Sequence, residues 1–145
     1  MKFDLSDRIT GADLCPNVLI LSFSRHQLEG VLSALGDLGL IPDAFSVQKE
    51  QVTAAVILPE GMTSAQLNLP ADVSVEENCF RLLLRGRRLD QSRGLGGTWE
   101  ALLKSEGIPV LFSCADITGI VQYLPDRARP AILSLLNSTF SIRVV

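Results

Sequence analysis

One histidine, one tryptophan, one tyrosine and three cysteines in 145 residues leave little material for the commoner catalytic devices. The cysteines, at 15, 79 and 114, are far apart and odd in number, and none belongs to a C-x-x-C pair. Zinc needs several Cys or His ligands at matched spacing, so no metal site is expected. Each cysteine reads as a small reduced hydrophobe. With His26 alone and no nucleophile motif, hydrolase chemistry is not expected, nor is any cofactor. No apolar run approaches the roughly 20 residues of a membrane-spanning helix. The first residues, Met1-Lys2-Phe3-Asp4-Leu5-Ser6-Asp7, carry acids and lack the apolar stretch of a signal peptide. A cytoplasmic, non-enzymatic protein without membrane contact is the expectation.

What the chain does have is an ordinary globular composition, 47% apolar and 20% charged. Its net charge of −3 averages two unlike parts. Residues 1–78 hold four basic and eleven acidic side chains, and residues 79–145 hold nine basic and five acidic. The basic excess lies mainly in Arg81, Arg85, Arg87, Arg88 and Arg93. Such a split suits a basic half that meets an anion, or two halves that attract each other.

The hydrophobic pattern repeats. Residues 18–23 form a short apolar run of buried-strand type. Leu28, Val31, Leu32, Leu35 and Leu38 follow at helical spacing, with Gly39 as a C-cap and Pro42 barring continuation. Residues 44–47 and 52–58 are strands about a polar turn, residues 63–67 make at most a short helix, and residues 73–75 close the unit as a strand. In the second half, residues 79–84 are a strand, and Trp99, Leu102 and Leu103 mark a helix ending near Gly107. Residues 109–114 and 117–124 are strands, residues 126–136 a helix N-capped by Asp126, and residues 139–145 a β-branched strand. Ile41-Pro42-x-x-Phe45-Ser46 also matches Ile108-Pro109-x-x-Phe112-Ser113. The expected fold is therefore α+β: two ferredoxin-like βαββαβ units in tandem, each an antiparallel sheet with helices on one face. The boundaries predicted are an N-terminal extension over 1–16, a first repeat over 17–77 and a second over 78–145. Units that small bury little surface alone, so a homodimer is expected.

These segments resemble a known family, the paired ACT domains at the regulatory end of aspartate kinases. Residues 34–43 look like that family's helix end, glycine and second strand. Glu100-Ala101-Leu102 through Phe112-Ser113-Cys114-Ala115-Asp116 resembles the second domain, and residues 123–140 its closing helix and strand. The resemblance implies a ligand-sensing module without the kinase domain, binding a small free amino acid between the loop after a first strand and a neighbouring second strand. Backbone N–H groups at a helix start suit a carboxylate, and an acid suits the amino group. Carried over position by position, it points to the Gly94–Thr98 loop with Gly94, Gly96, Gly97 and Thr98, and to Ser113 and Asp116. Asp43, Arg25 or Gln48 of another repeat would face them. The family's Pro-Gly is replaced here by Arg25-His26, Cys114 stands for a threonine, and Val110 for an acid.

Plainer readings accompany these. His26 is a surface residue at a helix start, Trp99 is core, and Asp43 and Asp116 are turn residues. Two other functions remain open: a protein-interaction module with degenerate pockets, and nucleic-acid binding through the arginines. Sparse aromatics near those arginines speak against the latter.

Overall fold

The computed structural model describes residues 9–86, 95–115 and 119–140. The order of elements is β1 (Ile9–Ser24), α1 (Leu28–Gly36), β2 (Ala44–Gln48), β3 (Gln51–Ile57), β4 (Ser74–Gly86), α2 (Leu95–Ser105), β5 (Phe112–Ala115), β6 (Gly119–Pro125) and α3 (Arg129–Phe140). Short 3-10 turns occupy Arg25–Gln27, Ser64–Gln66 and Asp126–Ala128. The fold is α+β, with the hydrogen-bonded strand order β2-β3-β1 in the part before β4 and β4-β6-β5 in the part that follows.

The chain divides into two compact units, Pro16–Cys79 and Met1–Cys15 with Phe80–Val145. In the Pro16–Cys79 unit, Leu19, Leu21 and Phe23 of β1 and Val52, Ala54 and Val56 of β3 pack on Val31 and Leu35 of α1. In the other unit, Phe80, Leu82 and Leu84 of β4 and Ile120 and Leu124 of β6 pack on Trp99 and Leu103 of α2 and on Ile132 and Leu136 of α3. The alternation along each strand puts every second side chain on the helix side, as a two-residue period requires.

Two strands are longer than their hydrophobic runs. Residues 73–75 and 79–84, expected as separate strands, lie largely in one 13-residue strand, β4. Part of the expected extension is also strand, because β1 starts at Ile9 and runs on through Pro16 to Ser24. Each strand accommodates a residue in the left-handed region, Asn17 (φ 62°) in β1 and Asn78 (φ 57°) in β4. Asparagine tolerates that backbone better than other side-chain-bearing residues, and the local break lets Pro16 sit within a strand. At the other end, α3 runs to Phe140, so Thr139 and Phe140 are helical rather than the start of a final strand. Residues 141–145 lie outside the described residues. The loop expected up to Gly97 is likewise shorter, since α2 begins at Leu95 and includes Gly96, Gly97 and Thr98.

Helices α1 and α2 end alike. After α1, Gly39 (φ 72°) donates its N–H to the Gly36 carbonyl at 3.0 Å and Leu40 to the Leu35 carbonyl at 2.9 Å. After α2, Gly107 (φ 71°) donates to Lys104 at 3.1 Å and Ile108 to Leu103 at 2.9 Å. Both are Schellman caps, which need a residue free to take positive φ. Their parts correspond at a constant spacing of 68 residues, Leu35 with Leu103, Gly39 with Gly107 and Leu40 with Ile108.

The six-letter sequence match has a spacing of 67 and is therefore one residue out of step. Ile41 is 83% exposed, whereas Ile108 is 7% exposed and in the core. Phe45 pairs with Ala54, a helix-side residue, but Phe112 pairs with Tyr123 and stacks on it at 5.3 Å, on the opposite face. A one-residue slip reverses every side chain in a strand. At the spacing of 68, Phe45 corresponds to Ser113 and Ala54 to Gln122, and both pairs lie on the helix side.

Gly119 opens β6 against β4. A Cβ there would overlap the carbonyl oxygen of Leu84 and the Leu83 side chain, so only glycine permits this strand spacing.

Candidate functional site

The unit containing Phe80–Val145 carries a cleft of about 560 Å³ between the C-terminal half of α2 and the edge strand β5. Glu100 and Lys104 line it from one side of α2, one helical turn apart. The α2–β5 connection supplies Gly107, Ile108, Pro109, Val110 and Leu111, and β5 supplies Ser113. The Schellman cap at Gly107 positions this wall, because it turns the chain back from α2 towards β5. The cleft thus has a largely apolar lining with one carboxylate, one ammonium and one hydroxyl, the usual make-up of a small-molecule pocket.

One polar contact lies at the cleft and another in the core beside it. Ser113 Oγ donates to Glu100 Oε1 at 3.2 Å, tying β5 to α2 at the cleft wall. One residue before Glu100, Trp99 is fully buried, and its Nε1–H donates to Gln122 Oε1 at 2.7 Å. Gln122 lies on β6 directly opposite Ser113 and is itself fully buried. An indole N–H can only donate, so the Gln122 oxygen must be the atom that faces it. No group among the described residues accepts from Gln122 Nε2.

The same positions in the Pro16–Cys79 unit have a different character. At the spacing of 68, Glu100 corresponds to Leu32, Lys104 to Gly36, Ser113 to Phe45 and Gln122 to Ala54. Every polar side chain of the cleft is replaced by an apolar residue or glycine. Leu32, Phe45 and Val47 are exposed there, as is Ile41 just before β2.

Of the residues expected to hold a ligand, Ser113 lines the cleft. Gly96, Gly97 and Thr98 form the first turn of α2, and Gly94 and Asp116 lie outside the described residues. Arg25, Asp43 and Gln48 belong to the Pro16–Cys79 unit. Asp43 N–H donates to the Ala55 carbonyl at 2.8 Å at one end of β2, while Gln48 pairs with Gln51 at the other. Five steps along the strand, roughly 16 Å, separate those two. Arg25 is at the Gln48 end, its N–H donating to the Glu50 carbonyl at 2.7 Å, and His26 beside it is exposed. Glu100, Lys104 and Gln122 were not among the expected site residues. The signal for Gln122 was present, as a lone amide within the apolar segment Ile120–Leu124.

Among the described residues, no group of three or more His, Cys, Asp or Glu side chains could hold a metal ion, and no helix is long and apolar enough to cross a membrane. In the basic half, Arg85 Nε pairs with Asp13 Oδ2 at 2.8 Å, and Arg129 stands 5.4 Å over the Phe80 ring.

No protein-family model matches the sequence, and no curated protein matches it. Solved structures do share its fold. The regulatory subunit of aspartate kinase from Thermus thermophilus, in its ligand-free form, superimposes with a TM-score of 0.74 at 14% identity, over 91% of this chain and 97% of that one. A structure of aspartokinase alpha and beta subunits gives 0.76 at 14% identity, over 92% of this chain and 99% of that one. E. coli aspartokinase III in complex with aspartate and ADP gives 0.72 at 19% identity and 92% of this chain, which spans only 34% of that enzyme's chain. The chain thus resembles the ACT-like regulatory regions of aspartate kinases in fold. The fold is shared both with separate regulatory subunits and with about a third of a complete kinase chain.

Proposed function

We propose that the protein is a regulatory module of the ACT type that binds a small amino acid in the cleft between α2 and β5. The observation that carries this reading is the cleft's composition. Glu100 suits an α-ammonium, Lys104 a carboxylate and Ser113 either, around an apolar wall that suits a side chain. The regulatory fold supports it, and E. coli aspartokinase III has been solved with lysine and aspartate bound. In this reading the two units are tandem ACT-like repeats, and only the one containing Phe80–Val145 binds the effector. No catalytic role is assigned to the chain.

The test is a thermal-shift panel of the free amino acids on the full chain. A ligand that binds only the folded protein raises Tm by mass action. At least one amino acid is expected to do so, with the shift lost in Glu100→Gln and Ser113→Ala. No shift across the whole panel overturns the reading.

The exposed Leu32, Ile41, Phe45 and Val47 favour a second role for the Pro16–Cys79 unit, as the surface on which the protein self-associates or meets a protein partner.

A further inference from the structure

The cleft between α2 and β5 carries few charges and few free polar atoms. Among the described residues lining it, only Glu100 and Lys104 are charged. They stand one turn apart on α2, where Cβ atoms lie about 5–6 Å from each other, so the cleft holds one carboxylate and one ammonium side by side. The wall they meet, Ile108 to Leu111, is apolar and anchored, because Ile108 is buried in the core and Val110 packs against it.

The backbone of that wall offers little more to bind. Gly107 N–H already donates to the Lys104 carbonyl at 3.1 Å, Ile108 N–H to the Leu103 carbonyl at 2.9 Å, and Leu111 N–H to the Tyr123 carbonyl at 2.9 Å. Pro109 has no N–H to give. The Ser113 hydroxyl proton is taken by Glu100.

We propose that this cleft selects amino acids whose side chain is large, apolar and uncharged. The proposal rests on the amino-acid reading of the cleft and deepens it. The zwitterion of a free amino acid takes one anion and one cation from its site, and Glu100 and Lys104 supply one of each. A charged side chain would then lie against Pro109, Val110 and Leu111 without a counter-ion, and a charge taken out of water unpaired is costly. An apolar side chain leaves water for apolar surface instead, which is favourable.

The experiment compares L-norleucine with L-lysine, which carries an ammonium at the end of the same unbranched side chain, by calorimetric titration of the full chain. L-norleucine is expected to bind about ten-fold more tightly or better, and L-leucine likewise against L-aspartate. Val110→Glu and Pro109→Glu each give the wall a carboxylate. Either is expected to raise the affinity for L-lysine relative to L-norleucine by about three-fold or more. Val110 packs on the core whereas Pro109 is exposed, so Pro109→Glu carries the test where Val110→Glu does not fold. Equal or tighter binding of either charged amino acid by the unaltered protein, or a preference that neither new carboxylate alters, overturns the proposal and leaves the amino-acid reading standing. Failure of every free amino acid to bind overturns both.

Discussion

Trp99 and Gln122 share a 2.7 Å hydrogen bond that neither residue can replace with water, because both are fully buried. The bond joins α2 to β6 directly beneath the cleft wall. Trp99→Phe removes the donor to the Gln122 oxygen, and Gln122→Leu removes the acceptor of this bond. Each single change should destabilise the fold by about 1–3 kcal/mol through the lost buried bond, in addition to any packing loss. The double variant should cost clearly less than the sum of the two. Chemical denaturation of the four proteins measures this coupling, and simple additivity would contradict it.

Gly119 and Gly36 make opposite predictions for the same substitution. A methyl at Gly119 would collide with the Leu84 carbonyl, which belongs to a neighbouring strand and cannot move aside cheaply. Gly119→Ala should lose about 1–3 kcal/mol, the range of an overpacked core. At Gly36, the last residue of α1, nothing lies within 4 Å of an added Cβ. Gly36→Ala should be neutral or gain up to about 1 kcal/mol from helix propensity. Midpoints of denaturant unfolding distinguish the two.

Asn17 and Asn78 make a third case. Both hold positive φ inside long strands, where alanine would carry about 1–2 kcal/mol of strain and glycine none. Asn78→Ala should lower stability by about that amount, and Asn78→Gly should not. Equal effects of the two substitutions would show that the asparagine side chain, rather than the backbone angle, is what matters there.

Much of the secondary structure was legible because it rests on local periodicity. The stripe Val31, Leu35 faces the α1 core, and Gly39 and Gly107 cap their helices as their positions suggested. What periodicity could not reveal was continuity through polar residues. Glu76, Glu77 and Asn78 interrupt the apolar pattern of β4 without interrupting its strand. Nor could six matching letters fix a register. The identities at Ile, Pro, Phe and Ser align at a spacing of 67, while the caps and strand pairings align at 68. That single residue decides whether Ser113 corresponds to Ser46 or to Phe45, and so whether the two units appear alike or divergent. Of the residues that line the cleft, the resemblance had pointed to Ser113. Glu100 and Lys104 were not legible, because a charge pair on an exposed helix face usually means only solvation.

The divergence predicts a division of labour. Phe45 and Val47 lie on the exposed edge strand β2, where unpaired backbone and apolar side chains favour association. Phe45→Ser/Val47→Ser should shift sedimentation towards a smaller species while leaving effector affinity within about two-fold. A double variant that sediments like the unaltered protein would remove this surface from any self-association.

The central claim is that one unit senses and the other does not, because the cleft residues Glu100, Lys104 and Ser113 have no polar counterparts in the other unit. Calorimetric titration of the full chain with an amino acid that raises its Tm measures this directly. The account predicts one binding site per chain, eliminated by Ser113→Phe and retained in Phe45→Ser. Two sites per chain, or a single site that survives Ser113→Phe, would contradict it.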